Sequence, residues 1–124
     1  MFAMKTMQKQ IILENELQEY VFTEKKIMTQ IDHPFIIKAH FVFQSPNSIF
    51  IVMDFLPGRD LSYYIQKNNR KMLSVKNIKI ILCEVILALE ELHRNKIIFR
   101  DLKPENILID CSGHIKLIDF GLAK

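Results

Sequence analysis

The run Phe99-Arg100-Asp101-Leu102-Lys103-Pro104-Glu105-Asn106 is followed, thirteen residues after its asparagine, by Asp119-Phe120-Gly121. Two acids and an amide at this spacing suit convergence on a metal-nucleotide complex and a hydroxyl. Phosphoryl transfer needs metal ions to neutralise a polyphosphate, a group that positions the attacking hydroxyl, and cations on the transferring phosphoryl. Asp101 and Asp119 are the carboxylates, and Asn106 offers a neutral oxygen. Such hard oxygen ligands suit magnesium, which takes substrate phosphates and water as its remaining ligands. Lys103, two residues beyond Asp101, reaches the same side of the loop and can supply positive charge where negative charge develops.

These residues must be held by a scaffold, and its elements can be read from hydrophobic periodicity. Phe2 to Met7 alternates loosely and predicts a short strand; residues 10–30 carry apolar side chains at helical spacing and predict one or two helices. Asp32-His33-Pro34 stops that run, because proline pushes its predecessor out of helical geometry. The β-rich stretches 35–43 and 49–55, joined by Ser45-Pro46-Asn47-Ser48, predict an antiparallel pair beside the first strand. Leu56-Pro57-Gly58-Arg59 marks the boundary between a sheet-rich and a helical half. Asp60 can cap a short helix running to Lys67. Ser74 can cap a long helix from Val75 to about Asn95, apolar over most of its circumference at Ile78, Ile81, Leu82, Val85, Ile86, Leu89 and Leu92, and therefore expected in the interior. Strands at 107–109 and 115–118 flank the turn Asp110-Cys111-Ser112-Gly113. The chemistry then lies in loops around this hairpin, where a rigid scaffold can aim it.

Composition narrows the function class. With 124 residues, 49% hydrophobic and 25% charged, the chain matches a globular domain or part of one. Its 17 basic and 14 acidic residues are dispersed, so the net charge of +3 gives little support to nucleic-acid or membrane-surface binding. The strongest basic cluster, Lys67-Asn68-Asn69-Arg70-Lys71, reads as a solvated helix end and loop. Cys83 and Cys111 form neither a zinc motif nor a disulfide framework, and read as free thiols in a reducing compartment. Neither a signal peptide nor a spanning apolar run is visible, so the expected location is intracellular, in the cytoplasm. His33, His40, His93 and His114 lack metal-ligand spacing and read as structural or surface residues. Met1, Met4, Met7, Met28, Met53 and Met72 read mostly as core fillers.

The Arg-Asp-Leu-Lys-Pro-Glu-Asn and Asp-Phe-Gly motifs together resemble the catalytic and metal-binding loops of eukaryotic protein kinases. By that resemblance Asp101 orients or deprotonates the substrate hydroxyl, Lys103 contacts the γ-phosphate, Asn106 holds a second magnesium and Asp119 the first. Lysine two positions after the catalytic aspartate resembles serine/threonine rather than tyrosine kinases. A second cluster agrees: Phe2-Ala3-Met4-Lys5 resembles the family's Val-Ala-Ile-Lys strand, placing Lys5 on the α- and β-phosphates, with Glu24 as its helix partner. The resemblance further makes Met53 the gatekeeper, Asp54-Phe55-Leu56 the adenine-binding hinge, Asp60 a ribose ligand, Ala3 and Leu108 the faces on the adenine ring, and Glu105 a nucleotide-binding position. The cofactors implied are ATP and Mg2+, and the partner is a protein with a Ser or Thr acceptor. Thr-Glu-Lys-Lys-Ile-Met, Asp-His-Pro-Phe-Ile and Asp-Phe-Gly-Leu-Ala-Lys are similar to the AGC group.

The fold implied is α+β, a partial two-lobed protein-kinase fold: an antiparallel sheet with a helix over residues 1–56, through the hinge, then the helical start of the second lobe with a small β-hairpin over 57–124. The resemblance begins inside the third strand and ends just past Asp-Phe-Gly, so the expected unit is a partial domain without glycine loop or activation segment. The long helix would ordinarily be covered by later helices. Departures from the family pattern are Phe99 where His or Tyr is usual, Ala39 for a larger residue in the stack Ala39, Met28, Phe120, Phe99, Arg59 for the second hinge glycine, and Tyr20 where some AGC kinases place a His. Arg100 would face an activation-loop phosphate. A non-catalytic, pseudokinase-like nucleotide-binding or regulatory module is the alternative, and a small-molecule phosphotransferase fits the Lys-Pro-Glu-Asn and hinge pattern less well.

Overall fold

The computed structural model describes residues 1–67 and 73–124. Of the basic cluster only Lys67 falls within these residues; Asn68 to Lys71, and Met72, lie outside them. Strand β1 (Phe2–Gln8) leads into helices α1 (Lys9–Glu14) and α2 (Gln18–Gln30), then strands β2 (Ala39–Gln44) and β3 (Ser48–Asp54). Helices α3 (Leu61–Gln66) and α4 (Val75–Arg94) follow, then a 3-10 turn (Pro104–Asn106) and strands β4 (Ile107–Ile109) and β5 (Ile115–Leu117). The first three strands form an antiparallel sheet in the order β1-β3-β2, and β4 and β5 form a separate hairpin.

Residues 10–30 form two helices rather than one. The chain breaks at 15–17, where Glu16 takes a left-handed φ of 55°. Helix α2 buries Glu24, Ile27 and Met28, an i, i+3, i+4 face turned to the core. Both predicted caps are present: the Asp60 carboxylate accepts from the Tyr63 backbone N–H at 2.9 Å, and the Ser74 hydroxyl from that of Asn77 at 3.3 Å.

The run expected as a strand from Phe35 pairs with β3 only from Ala39 onward. Residues 35–37 instead serve β5: Leu117 N–H donates to Phe35 O at 2.9 Å, and Ile37 N–H to Leu117 O at 3.0 Å. One stretch of apolar chain thereby ties the sheet to the hairpin. Ile36, Ile37 and Leu117 accordingly share a single buried cluster with Ile27, Met28, Phe99 and Phe120.

Two expectations need correction. Helix α4 buries Ile81, Val85, Ala88 and Leu92. Ile78, Leu82 and Ile86, expected inside, are exposed, because the hairpin packs on only one side of the helix. Met1 and Met4 are exposed as well: Met4 lies on the outward face of β1, whose burial alternates with the two-residue period of a strand. Met28 is fully buried, and Met7 and Met53 pack partly buried against the core. Cys83 and Cys111 are free and exposed.

Candidate active site

A cavity of about 380 Å3 opens between the sheet and the β4–β5 hairpin. Period-two alternation puts Ala3 and Lys5 on the same face of β1, and both line this cavity. Register sets Ala3 opposite Met53 on β3, so these two expected nucleotide-binding residues sit side by side. Asp54, Phe55 and Leu56 continue the lining, with Leu108 from β4 and Asp119 just past β5. Residues from widely separated parts of the chain thus meet in one cleft.

Lys5 reaches out of β1 to α2. Its ammonium donates to both oxygens of Glu24, at 2.6 and 2.8 Å, and the Glu24 carboxylate is buried. A buried carboxylate needs such a partner, since taking a charge out of water without one is costly. The pair therefore fixes α2 against the sheet and presents a cation to the cleft.

The catalytic-type loop is organised around Asp101. Its Oδ2 accepts from Lys103 Nζ at 2.7 Å and from Asn106 Nδ2 at 2.9 Å. Asn106 Nδ2 also donates to the Asp101 backbone carbonyl at 3.0 Å. Both acceptors require the amide nitrogen, which fixes the Asn106 side-chain orientation and leaves its oxygen for a cation. Lys103 holds the Asp101 carboxyl below the usual carboxylate range through its hydrogen bond, with Asn106 adding to the effect. Reciprocally, the bond to Asp101 raises Lys103, and the nearby charges of Asp119 and Glu105 reinforce it.

Backbone strain marks both loops. Arg100 and Asp119 each adopt φ of 63°, a left-handed conformation that costs a non-glycine residue about 1–3 kcal/mol. Hydrogen bonds to the second loop hold Arg100 there. Arg100 Nε donates to Leu122 O at 2.6 Å, and residues 98 and 124 exchange two backbone hydrogen bonds of 2.7 and 3.0 Å. Phe99 and Phe120 pack edge to face beneath, their centroids 5.4 Å apart, with Met28 and Ala39 buried in the same cluster. No feature of the residue types announced the two positive φ values.

Two further contributors were not foreseen. Gly58 lies so close to β4 that a Cβ there would come within 1.6 Å of Ile109 O. It is the close approach, rather than a turn, that requires glycine. His40, at the irregularity where β2 shifts register between Ala39 and Phe41, donates to the Asp54 carboxylate at 2.8 Å and braces the end of β3. A histidine beside a strand start carries no sequence signal for that contact.

Not every expected residue enters the cavity. Asp60, Asp101, Lys103, Glu105 and Asn106 lie outside its lining. Asp60 Oδ1 is engaged by Tyr63 and by the Ser62 hydroxyl, and the Ser62 bond leads in lowering its pKa. Glu105 is exposed on the 3-10 turn. Among the described residues no three His, Cys, Asp or Glu side chains form a metal cluster. The donor set nonetheless fits magnesium: one carboxylate and one oriented amide oxygen flank the hairpin, and this ion completes its shell with phosphate and water.

The protein kinase domain family matches residues 1–124. Among curated relatives, protein kinase 3 of Dictyostelium discoideum is 44% identical over 123 residues, covering 99% of this chain and 13% of that protein. Human ribosomal protein S6 kinase alpha-3 is 42% identical over 126 residues, covering 100% of the chain and 16% of the relative. A RAC family serine/threonine-protein kinase homolog of D. discoideum is 37% identical over 123 residues, covering 99% and 27% respectively. The chain therefore spans between 13% and 27% of the length of these relatives.

Proposed function

Because the chain belongs to the protein kinase family, we propose that it forms the nucleotide-binding and catalytic centre of an AGC-like serine/threonine kinase, transferring the γ-phosphoryl of ATP to a protein hydroxyl. Residues 1–56 act as the sheet-rich lobe and hinge, and 57–124 as the start of the helical lobe. The observation that carries this is the convergence of Lys103 and Asn106 on one oxygen of Asp101, with Asp119 in electrostatic reach of Lys103. Protein kinases as a family use ATP and Mg2+.

The kinase reading assigns each residue a task. Asp101, ionised and kept weakly basic by Lys103, is suited to orienting a serine or threonine hydroxyl and accepting its proton late, rather than removing it beforehand. Lys103 steadies the γ-phosphate and Lys5, held by Glu24, the α- and β-phosphates. Asn106 and Asp119 hold the metal, which neutralises the polyphosphate when bound. Ala3 and Leu108 cover the adenine faces, Met53 closes the back of the cleft, and the backbone from Asp54 to Leu56 reads the base edge. Asp60 and Glu105 serve the ribose side. The acceptor is a Ser or Thr of a protein substrate, and the location is cytoplasmic; among the described residues no helix is long and apolar enough to cross a membrane.

The test is transfer of radiolabelled γ-phosphate from Mg-ATP to a mixed Ser/Thr peptide library. Transfer abolished by Asp101→Asn supports the kinase reading. Tight nucleotide binding without transfer by the unmodified protein would refute it in favour of a non-catalytic, pseudokinase-like module.

A further inference from the structure

Three polar side chains are buried among the described residues: Glu24, Asn106 and Glu84. Glu24 lines the cleft and Asn106 is bonded to Asp101 in the catalytic-type loop, whereas Glu84 has no part in either. Glu84 is only 5% exposed and sits on the inward stripe of α4 with Ile81, Val85 and Ala88. Its Oε1 lies 2.6 Å from His114 Nδ1, and its Oε2 accepts from the Ile115 backbone N–H at 3.0 Å. A carboxylate only accepts, so Nδ1 of His114 carries the hydrogen.

Those contacts complete the outer edge of β5. Leu117 on that edge uses both its backbone groups on residues 35–37, while the N–H of Ile115, two residues earlier, finds no strand beside it and is met by Glu84. Without that oxygen the N–H would be buried unpaired. The hairpin so anchored carries the two residues assigned to the metal, one at each end. Asn106 directly precedes β4, Asp119 stands two residues past β5, and Ile118 N–H donates to Asn106 O at 3.0 Å to join the ends.

We propose that Glu84, with His114, is a positioning residue for the metal pair: it pins the β4–β5 hairpin to α4 and so sets the spacing of Asn106 and Asp119. The proposal rests on the reading of the cleft given above. Outer partners of this kind are worth about 10- to 100-fold in metal affinity where they orient the ligands directly. The lower end is expected here, since Glu84 acts through the strand.

The experiment combines amide hydrogen exchange with ATP titrations, with and without Mg2+, on the unmodified chain and on Glu84→Ala, Glu84→Gln, His114→Ala and Ile81→Ala. In Glu84→Ala the amides of Leu117 and Ile118 exchange about 10-fold faster relative to those of β1 to β3, and the affinity gained from Mg2+ falls by a similar factor. Metal-free ATP affinity stays within about twofold. Glu84→Gln keeps an acceptor for Ile115 and recovers most of both losses, while His114→Ala costs about threefold. Ile81→Ala loosens the same helix while leaving both hydrogen bonds of Glu84 in place, and keeps the Mg2+ gain. Unchanged hairpin exchange in Glu84→Ala, or equal losses in Ile81→Ala, overturns the proposal. If Glu84→Ala does not fold, exposed His114 decides in its place, and unchanged hairpin exchange in His114→Ala overturns it. An unmodified chain that gains no affinity from Mg2+ defeats the reading of the cleft instead, and the exchange rates still judge the anchor.

Discussion

Replacing Gly58 with alanine tests how closely the hinge and β4 are fitted together. A Cβ at this position would stand 1.6 Å from Ile109 O and 2.7 Å from Ile109 C. An ordinary C···O contact is near 3.3 Å, so one backbone must retreat by about 1.7 Å. No flexible side-chain end is available to yield, since both atoms are main chain. The retreat stretches the 3.1 Å bond from Ile109 N–H to Arg59 O, worth about 1 kcal/mol, and adds overpacking strain of about 1–3 kcal/mol. The sum is about 2–4 kcal/mol, which at roughly 4 °C per kcal/mol for a chain of this size lowers the melting temperature by about 8–16 °C. Leu108 moves with β4, so nucleotide affinity falls as well. Gly113→Ala is the control: its φ of 89° imposes backbone strain of about 1–2 kcal/mol, yet nothing lies within 4 Å of the new Cβ. That variant loses stability and keeps its nucleotide affinity. Calorimetric melts and ATP titrations of both decide the matter. A Gly58→Ala chain that melts like the unmodified protein, or binds ATP equally well, would refute the steric reasoning.

Lys5→Met leaves the buried Glu24 carboxylate without its ammonium and, with Lys5 partly open to solvent, costs about 1–3 kcal/mol in a denaturant titration. Adding Glu24→Gln recovers part of that stability but none of the lost ATP affinity; recovery of both would show that Lys5 has no role on the phosphates. The Glu84 hydrogen bond and charge raise the His114 imidazole above its ordinary 6.5, and Asp110 in the hairpin turn acts in the same direction. A group raised on folding contributes stability that is full below pH 6.5 and is lost as pH rises through the raised value. Unfolding free energy should therefore decline with pH over that window, less steeply in Glu84→Gln; equal slopes in the two proteins would contradict the assignment. Arg100→Ala removes the bond to Leu122 O and should raise the exchange rate of the Ile98 and Lys124 amides, leaving those of β1 to β3 unchanged.

Much of this protein is legible in its sequence. The pairing of Lys5 with Glu24 is implied by the kinase resemblance alone, whereas strand and helix order, the Asp60 and Ser74 caps and the loop residues Asp101, Lys103, Asn106 and Asp119 follow from local periodicity, capping chemistry and motif spacing. These are properties of short stretches of chain, which local sequence encodes directly. Tertiary structure alone decided which of several equally apolar options was taken. Residues 35–37 read as the start of a strand against β3, but their hydrogen bonds went to β5, because an unpaired hairpin edge lay within reach. Glu84 reads as an interruption in an apolar helix, yet it faces inward because an orphaned N–H and an imidazole meet it there. Gly58 reads as a chain break, and its requirement comes from a carbonyl fifty-one residues away in the chain. The left-handed backbone of Arg100 is likewise held by contacts between the two loops. Local sequence sets what each segment can form, while partners distant in the chain decide where its polar groups and its strain are satisfied.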